Sequence, residues 1–160
     1  MTSEKFVAYD TAEQTPKNRR QKRGPQMRLG YVIIYVESVK GTMDFYTRAF
    51  GFETRMVYEE DGAVDYGEMQ TGETVLAFAS HSLGDMNLKG LYQKASVTEK
   101  PLGFELALVS EDVGADFEKA LKEGAIAIAP PTEKPWGQTV AYVRAVEGTL
   151  IELCSPMENS

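Results

Sequence analysis

The chain has 160 residues, 42% of them apolar and 26% charged, and a net charge of −7. That is enough for one domain with a real core, and no apolar run reaches the length of a membrane span. A lone Cys154 excludes an internal disulfide and a cysteine-built zinc site, which points to a reducing compartment, with the cytoplasm as the expected location.

Charge is distributed unevenly. Residues 1–28 hold seven Lys/Arg against three Asp/Glu, a local +4 that leaves −11 on residues 29–160. So acidic a body repels phosphates and anionic lipid, so nucleic-acid and membrane partners are not expected of it. The first apolar cluster, Phe6-Val7-Ala8-Tyr9, is short and is followed by Asp10, unlike a signal peptide. Residues 1–27 are polar, without helical or strand period, and culminate in the basic run Lys17-Asn18-Arg19-Arg20-Gln21-Lys22-Arg23. They read as a flexible basic tail, either a plain solvated arm or a targeting or docking arm.

Patterning begins at Leu29, and a single domain is expected over 28–158. Tyr31–Val36 is β-branched and aromatic, a strand. Ser38 is placed to cap a helix in which Val39, Met43, Tyr46 and Phe50 recur at helical spacing, with Gly51 as its stop. Strand-like runs follow at 55–59, 65–71 and 74–80, separated by Asp61-Gly62 and Gly72 as turns. The order, β-α-β-β-β over 29–81, is that of one module. Residues 82–101, rich in polar residues and without period, read as a linker long enough to act as a lid or rim.

The order then recurs over 102–156. Phe104–Val109 is a strand; Asp112 caps a helix carrying Val113, Phe117, Ala120 and Leu121, stopped at Gly124; strands follow near 126–129, 139–143 and 149–154. Val39 and Val113 are 74 apart, and 74–80 matches 149–155 at an offset of 75. A constant offset through helix and strands implies a duplicated unit. The fold class is therefore α+β: two βαβββ modules related by a pseudo-two-fold, forming a curved mixed sheet with a cleft.

Certain residues carry a resemblance. Tyr31–Val36 followed by Asp44-Phe45-Tyr46 and Gly51-Phe52, then Pro135-Trp136-Gly137-Gln138-Thr139 and Glu147–Leu153, resemble the glyoxalase/bleomycin-resistance (vicinal oxygen chelate) superfamily over 29–156. The resemblance implies that fold; it does not select a reaction, since the fold hosts isomerases, dioxygenases, resistance proteins and binders. Metal-dependent members place four ligands on the concave faces of the first and last strand of each module. The corresponding positions here are Tyr31, Ala77, Glu105 and Glu152. Alanine cannot ligate, and two carboxylates alone make at most a weak site for a hard cation. No cofactor and no transition metal are expected.

Glu105 and Glu152 are instead expected to face one cleft as a carboxylate pair, for binding or for acid/base catalysis, unless they are solvated or paired with Arg144. Tyr31, Tyr35 and Trp136 are candidate aromatic walls, with half-buried strand tyrosines and a plugged sheet end as the plainer readings. His81 is a candidate base or late ligand, or else an exposed or capping histidine. Glu68 falls on neither face by pattern alone. The reading is a small-molecule binder, bleomycin-resistance-like, for a basic aromatic ligand. The alternatives are a glyoxalase-like lyase or isomerase using Glu105 and Glu152, and a dimeric scaffold. The resemblance also implies a homodimer.

Overall fold

A computed structural model of the chain describes residues 27–157. The basic run Lys17–Arg23 and nearly all of the expected tail lie outside the described residues. Module one consists of β1 (Tyr31–Val36), α1 (Val39–Phe50), β2 (Glu53–Glu60), β3 (Ala63–Gln70) and β4 (Val75–Ser80). A helix the sequence did not announce, α2 (His81–Leu88), opens the connector. Module two repeats the plan with β5 (Glu105–Val109), α3 (Val113–Lys122), β6 (Ile126–Glu133), β7 (Thr139–Arg144) and β8 (Leu150–Cys154).

The helix ends form as their residues dictate. The Ser38 hydroxyl accepts from the Gly41 amide at 3.1 Å, and the Asp112 carboxylate accepts from the Ala115 amide at 3.0 Å. Each satisfies an amide that the first helical turn leaves unpaired. Gly51 closes α1 in the left-handed conformation, at φ 75°. α2 is hidden in sequence because Ser80, at the end of a strand, caps it through the Leu83 amide, and its apolar residues are few.

Instead of one continuous curved sheet, the modules build two four-stranded mixed sheets, ordered β1-β4-β3-β2 and β5-β8-β7-β6. In each, the first and last strands of the module run parallel at one edge, with Tyr31 opposite Val75 and Glu105 opposite Leu150. One face of each sheet carries its helix. Ile34, Leu76, Phe78 and Met69 pack with Met43 and Tyr46 of α1; Ala141, Val143, Ile151 and Leu153 lie in the same core with Phe117 and Ala120 of α3. Val32, Leu106 and Leu108 pack against that core, as strand alternation predicts. The two helices touch, so the modules share one core. An Arg48–Glu123 ion pair at 2.8 Å ties α1 to the end of α3.

Alternation leaves Tyr31, Ile33, Tyr35, Ala77, Ala79, Tyr66 and Glu68 on the open face of the first sheet. The open face of the second carries Glu105, Ala107, Val109, Glu152, Cys154, Tyr142 and Arg144.

Candidate functional site

Parallel pairing sets Ala107 beside Glu152, so Glu105 and Glu152 approach each other diagonally across β5 and β8. Antiparallel pairing sets Tyr142 of β7 directly opposite Glu152, and its hydroxyl donates to Glu152 Oε2 at 2.8 Å. Each group is felt by the others. Burial of the Glu105 carboxyl raises its pKa, and the Glu152 charge raises it further. The Tyr142 hydroxyl, held by Glu152 and partly buried, is pushed up to about 12. Cys154, one pleat further along, is buried, and burial together with the Glu152 charge raises its thiol. It is therefore a packed thiol and not a nucleophile.

The site is thus a proton-holding acidic cluster: a carboxylate pair that shares repulsion, with a tyrosine donor fixing one member. The expected pairing with Arg144 does not occur. Arg144 is buried, and its guanidinium donates to the carbonyls of Gly148 (3.2 Å from Nε and 2.9 Å from Nη2), Ser96 and Glu99. It stitches the connector to the end of the second sheet. Gly148 shares the junction: at φ 103° its bare Cα sits where a Cβ would meet the Ser96 backbone at 2.7 Å. This end of the connector is a fixed wall and not a lid.

The aromatic candidates are not gathered around the pair within this chain. Tyr31, half exposed, stands on the first sheet beside Tyr66 and Glu68. There Tyr66 donates to Glu68 Oε1 at 2.9 Å, Arg55 donates to Glu68 Oε2 at 3.0 Å, and burial raises the Tyr66 pKa. Glu68, unassignable by pattern, therefore faces the open side. Tyr35 is covered by the connector: its ring lies 5.0 Å from that of Tyr92, with Gly84 of α2 against it. His81 is the first residue of α2, its Nδ1 3.0 Å from the Tyr92 hydroxyl. Burial and then Lys94 lower its pKa, which keeps the imidazole neutral. His81, Tyr35, Lys94, Glu37 and Glu147 border a separate cleft of about 320 Å³. Trp136 is 61% exposed at the β6–β7 turn, its indole N–H donating to Gln138 Oε1 at 3.1 Å.

Sequence reading missed Tyr142 and Tyr66, whose role comes only from strand register. It also missed Glu147, which looked like a plain turn residue. The Tyr46 hydroxyl donates to Glu147 Oε1 at 2.8 Å, from α1 of one module to the β7–β8 turn of the other. Burial raises the Glu147 pKa; Thr149 stands close enough to counter this, yet Glu147 Oε2 and Thr149 Oγ1 both lack a well-formed hydrogen bond.

Two βαβββ modules with this strand order, over an open sheet face, meet a matching family model across residues 28–153, described as the Glyoxalase/Bleomycin resistance protein/Dioxygenase superfamily. The chain belongs to that superfamily. Solved structures share the superfamily fold at low identity. A glyoxalase/bleomycin resistance protein/dioxygenase family enzyme from Burkholderia phytofirmans PsJN is 20% identical, with 81% of this chain and 98% of that one covered and a TM-score of 0.68. TioX from Micromonospora sp. ML1 is 20% identical over 81% and 98%, TM-score 0.61. A protein of unknown function from Agrobacterium tumefaciens str. C58 is 22% identical over 84% and 98%, TM-score 0.64. No curated protein matches the chain.

The superfamily's metal tetrad does not fit these residues. Ala77 has no donor and is fully buried, Tyr31 lies on the other sheet, and Glu152 Oε2 already takes the Tyr142 hydroxyl. Among the described residues no three His, Cys, Asp or Glu side chains gather closely enough to hold a metal ion. Among them too, no helix is long and apolar enough to cross a membrane.

Proposed function

We propose that the protein binds a small molecule without a metal, in a bleomycin-resistance-like manner, and that the ligand is a cationic or hydrogen-bond-donating aromatic compound. The observation that carries this is the Glu105–Glu152 pair: two carboxylates held together on an open sheet face, with no basic side chain answering them. A cation on that face relieves their repulsion and accepts charge-assisted hydrogen bonds from neither side's expense of burial. A homodimer supports the same reading. It would cover the first sheet's exposed Tyr31, Ile33, Met56 and Tyr58, and could bring Tyr31 of a second copy opposite the pair as an aromatic wall. The buried lone Cys154 supports a reducing, cytoplasmic setting.

A thermal-shift screen of matched aromatic amines, neutral amides and carboxylates at neutral pH tests the reading. Stabilisation confined to the cations supports it; stabilisation by the carboxylates alone overturns it. One observation favours a second reading, a glyoxalase-like lyase or isomerase. The raised Glu105 carboxyl beside Glu152 is the arrangement of an acid and a base on one substrate. Turnover lost in both Glu105→Gln and Glu152→Gln would mark it.

A further inference from the structure

β5 is an edge strand. The Ser110 amide donates to the Cys154 carbonyl, so by alternation Leu106 and Leu108 also bond towards β8, while Ala107 and Val109 turn their amides and carbonyls outward. Beside that free edge runs a groove of about 260 Å³, walled by Val32, Phe52, Thr74 and Val75 of module one and by Glu105 to Leu108. A second hollow of about 350 Å³, lined by Thr71, Glu73 and Ala107 to Val109, lies on the same strand. An exposed edge with apolar walls is a template for an added strand.

The chain itself supplies a fitting occupant. Val32 is in the groove wall and Tyr31 pairs with Val75, so the polypeptide preceding β1 leaves the domain at this groove. Arg23 is eight residues before Tyr31, a reach of up to about 28 Å, against about 16 Å for the length of β5. Lys17–Arg23 carries five basic residues, whereas residues 29–160 carry −11, with Glu105 and Glu73 on the groove itself. Attraction at this range acts within the screening length at low salt.

We infer that Lys17–Arg23 docks in extended form along the free edge of β5 of its own chain, its basic side chains reaching Glu105 and Glu73. Docking there places the chain's own cations next to the acidic pair. It therefore regulates the proposed ligand site by competition, a consequence that rests on the ligand reading, although the docking does not.

Zero-length carbodiimide cross-linking of the full chain, as a mixture of unlabelled and nitrogen-15-labelled protein at low salt, tests the docking. Lys17 and Lys22 are expected to link to Glu105 and Glu73 within one isotopic population, in preference to the exposed Glu111 and Glu118. Links should fade at about 0.5 M salt. Even spreading over the acidic surface, no tail links, or links joining the two isotopic populations would each overturn it. The last outcome would assign the groove to a second copy's tail. In the full-length variant with Lys17, Arg19, Arg20, Lys22 and Arg23 all changed to Ser, amide exchange at Ala107 and Val109 should accelerate about tenfold or more. Unchanged exchange overturns the proposal. If the cross-links form but aromatic cations never bind, the docking stands and the ligand reading fails.

Discussion

Glu105 shows how a single carboxyl can report on its neighbours. Its pKa is raised in the folded chain by burial and by Glu152, so folding favours its protonated form. The sign follows from linkage: its penalty is absent at pH below the unfolded value near 4.5 and grows as pH rises through the folded value. Glu105→Gln removes that penalty, so its melting temperature relative to wild type should rise between pH 4 and pH 7.5. A flat or falling difference across paired melts would show that the two glutamates do not interact. Tyr46→Phe acts elsewhere. It leaves Glu147, already short of one hydrogen bond, without its cross-module donor, at a cost of roughly 1–3 kcal/mol in denaturant unfolding. Glu147→Gln keeps an acceptor for Tyr46 and sheds the buried carboxyl, so it should match or exceed wild type above neutral pH.

The legibility of these residues in sequence was uneven, for physical reasons. Tyr31, Ala77, Glu105 and Glu152 were assigned to open faces because a strand alternates with period two and the helix-facing partners are plainly apolar. Tyr142 and Glu147 were not found: the first depends on antiparallel register, and the second on a tertiary contact 101 residues away in sequence. Neither leaves a local pattern.

At the scale of elements, caps and glycine stops placed α1 and α3 at their observed starts, because those signals are chemical and local. α2 and the connector were misread, since eight residues with one buried glycine carry no usable period. What holds the connector is Arg144, whose forked guanidinium serves three separate carbonyls. Arg144→Met should cost about 2–5 kcal/mol and raise hydrogen exchange over 94–101, because buried carbonyls lose their donors. Arg144→Lys should not restore it, as a point charge cannot reach all three carbonyls at once. Full stability in the Met variant would mean that the connector is held by packing alone.

For the whole molecule, one core spans both modules while each sheet keeps an open face, the first aromatic and the second acidic. Light scattering at micromolar concentration should give the mass of a dimer, and a monomer would leave Tyr31 without an acidic partner. The central claim is that the acidic face recognises a cation. Calorimetric titration with benzamidine, a planar aromatic cation, into wild type, Glu105→Gln and Glu152→Gln at pH 7.5 tests it most directly. Saturable binding to wild type, weakened about 10- to 150-fold in Glu152→Gln by loss of one charged hydrogen bond, is the predicted result. No binding to wild type, or equal affinity in all three proteins, would contradict it.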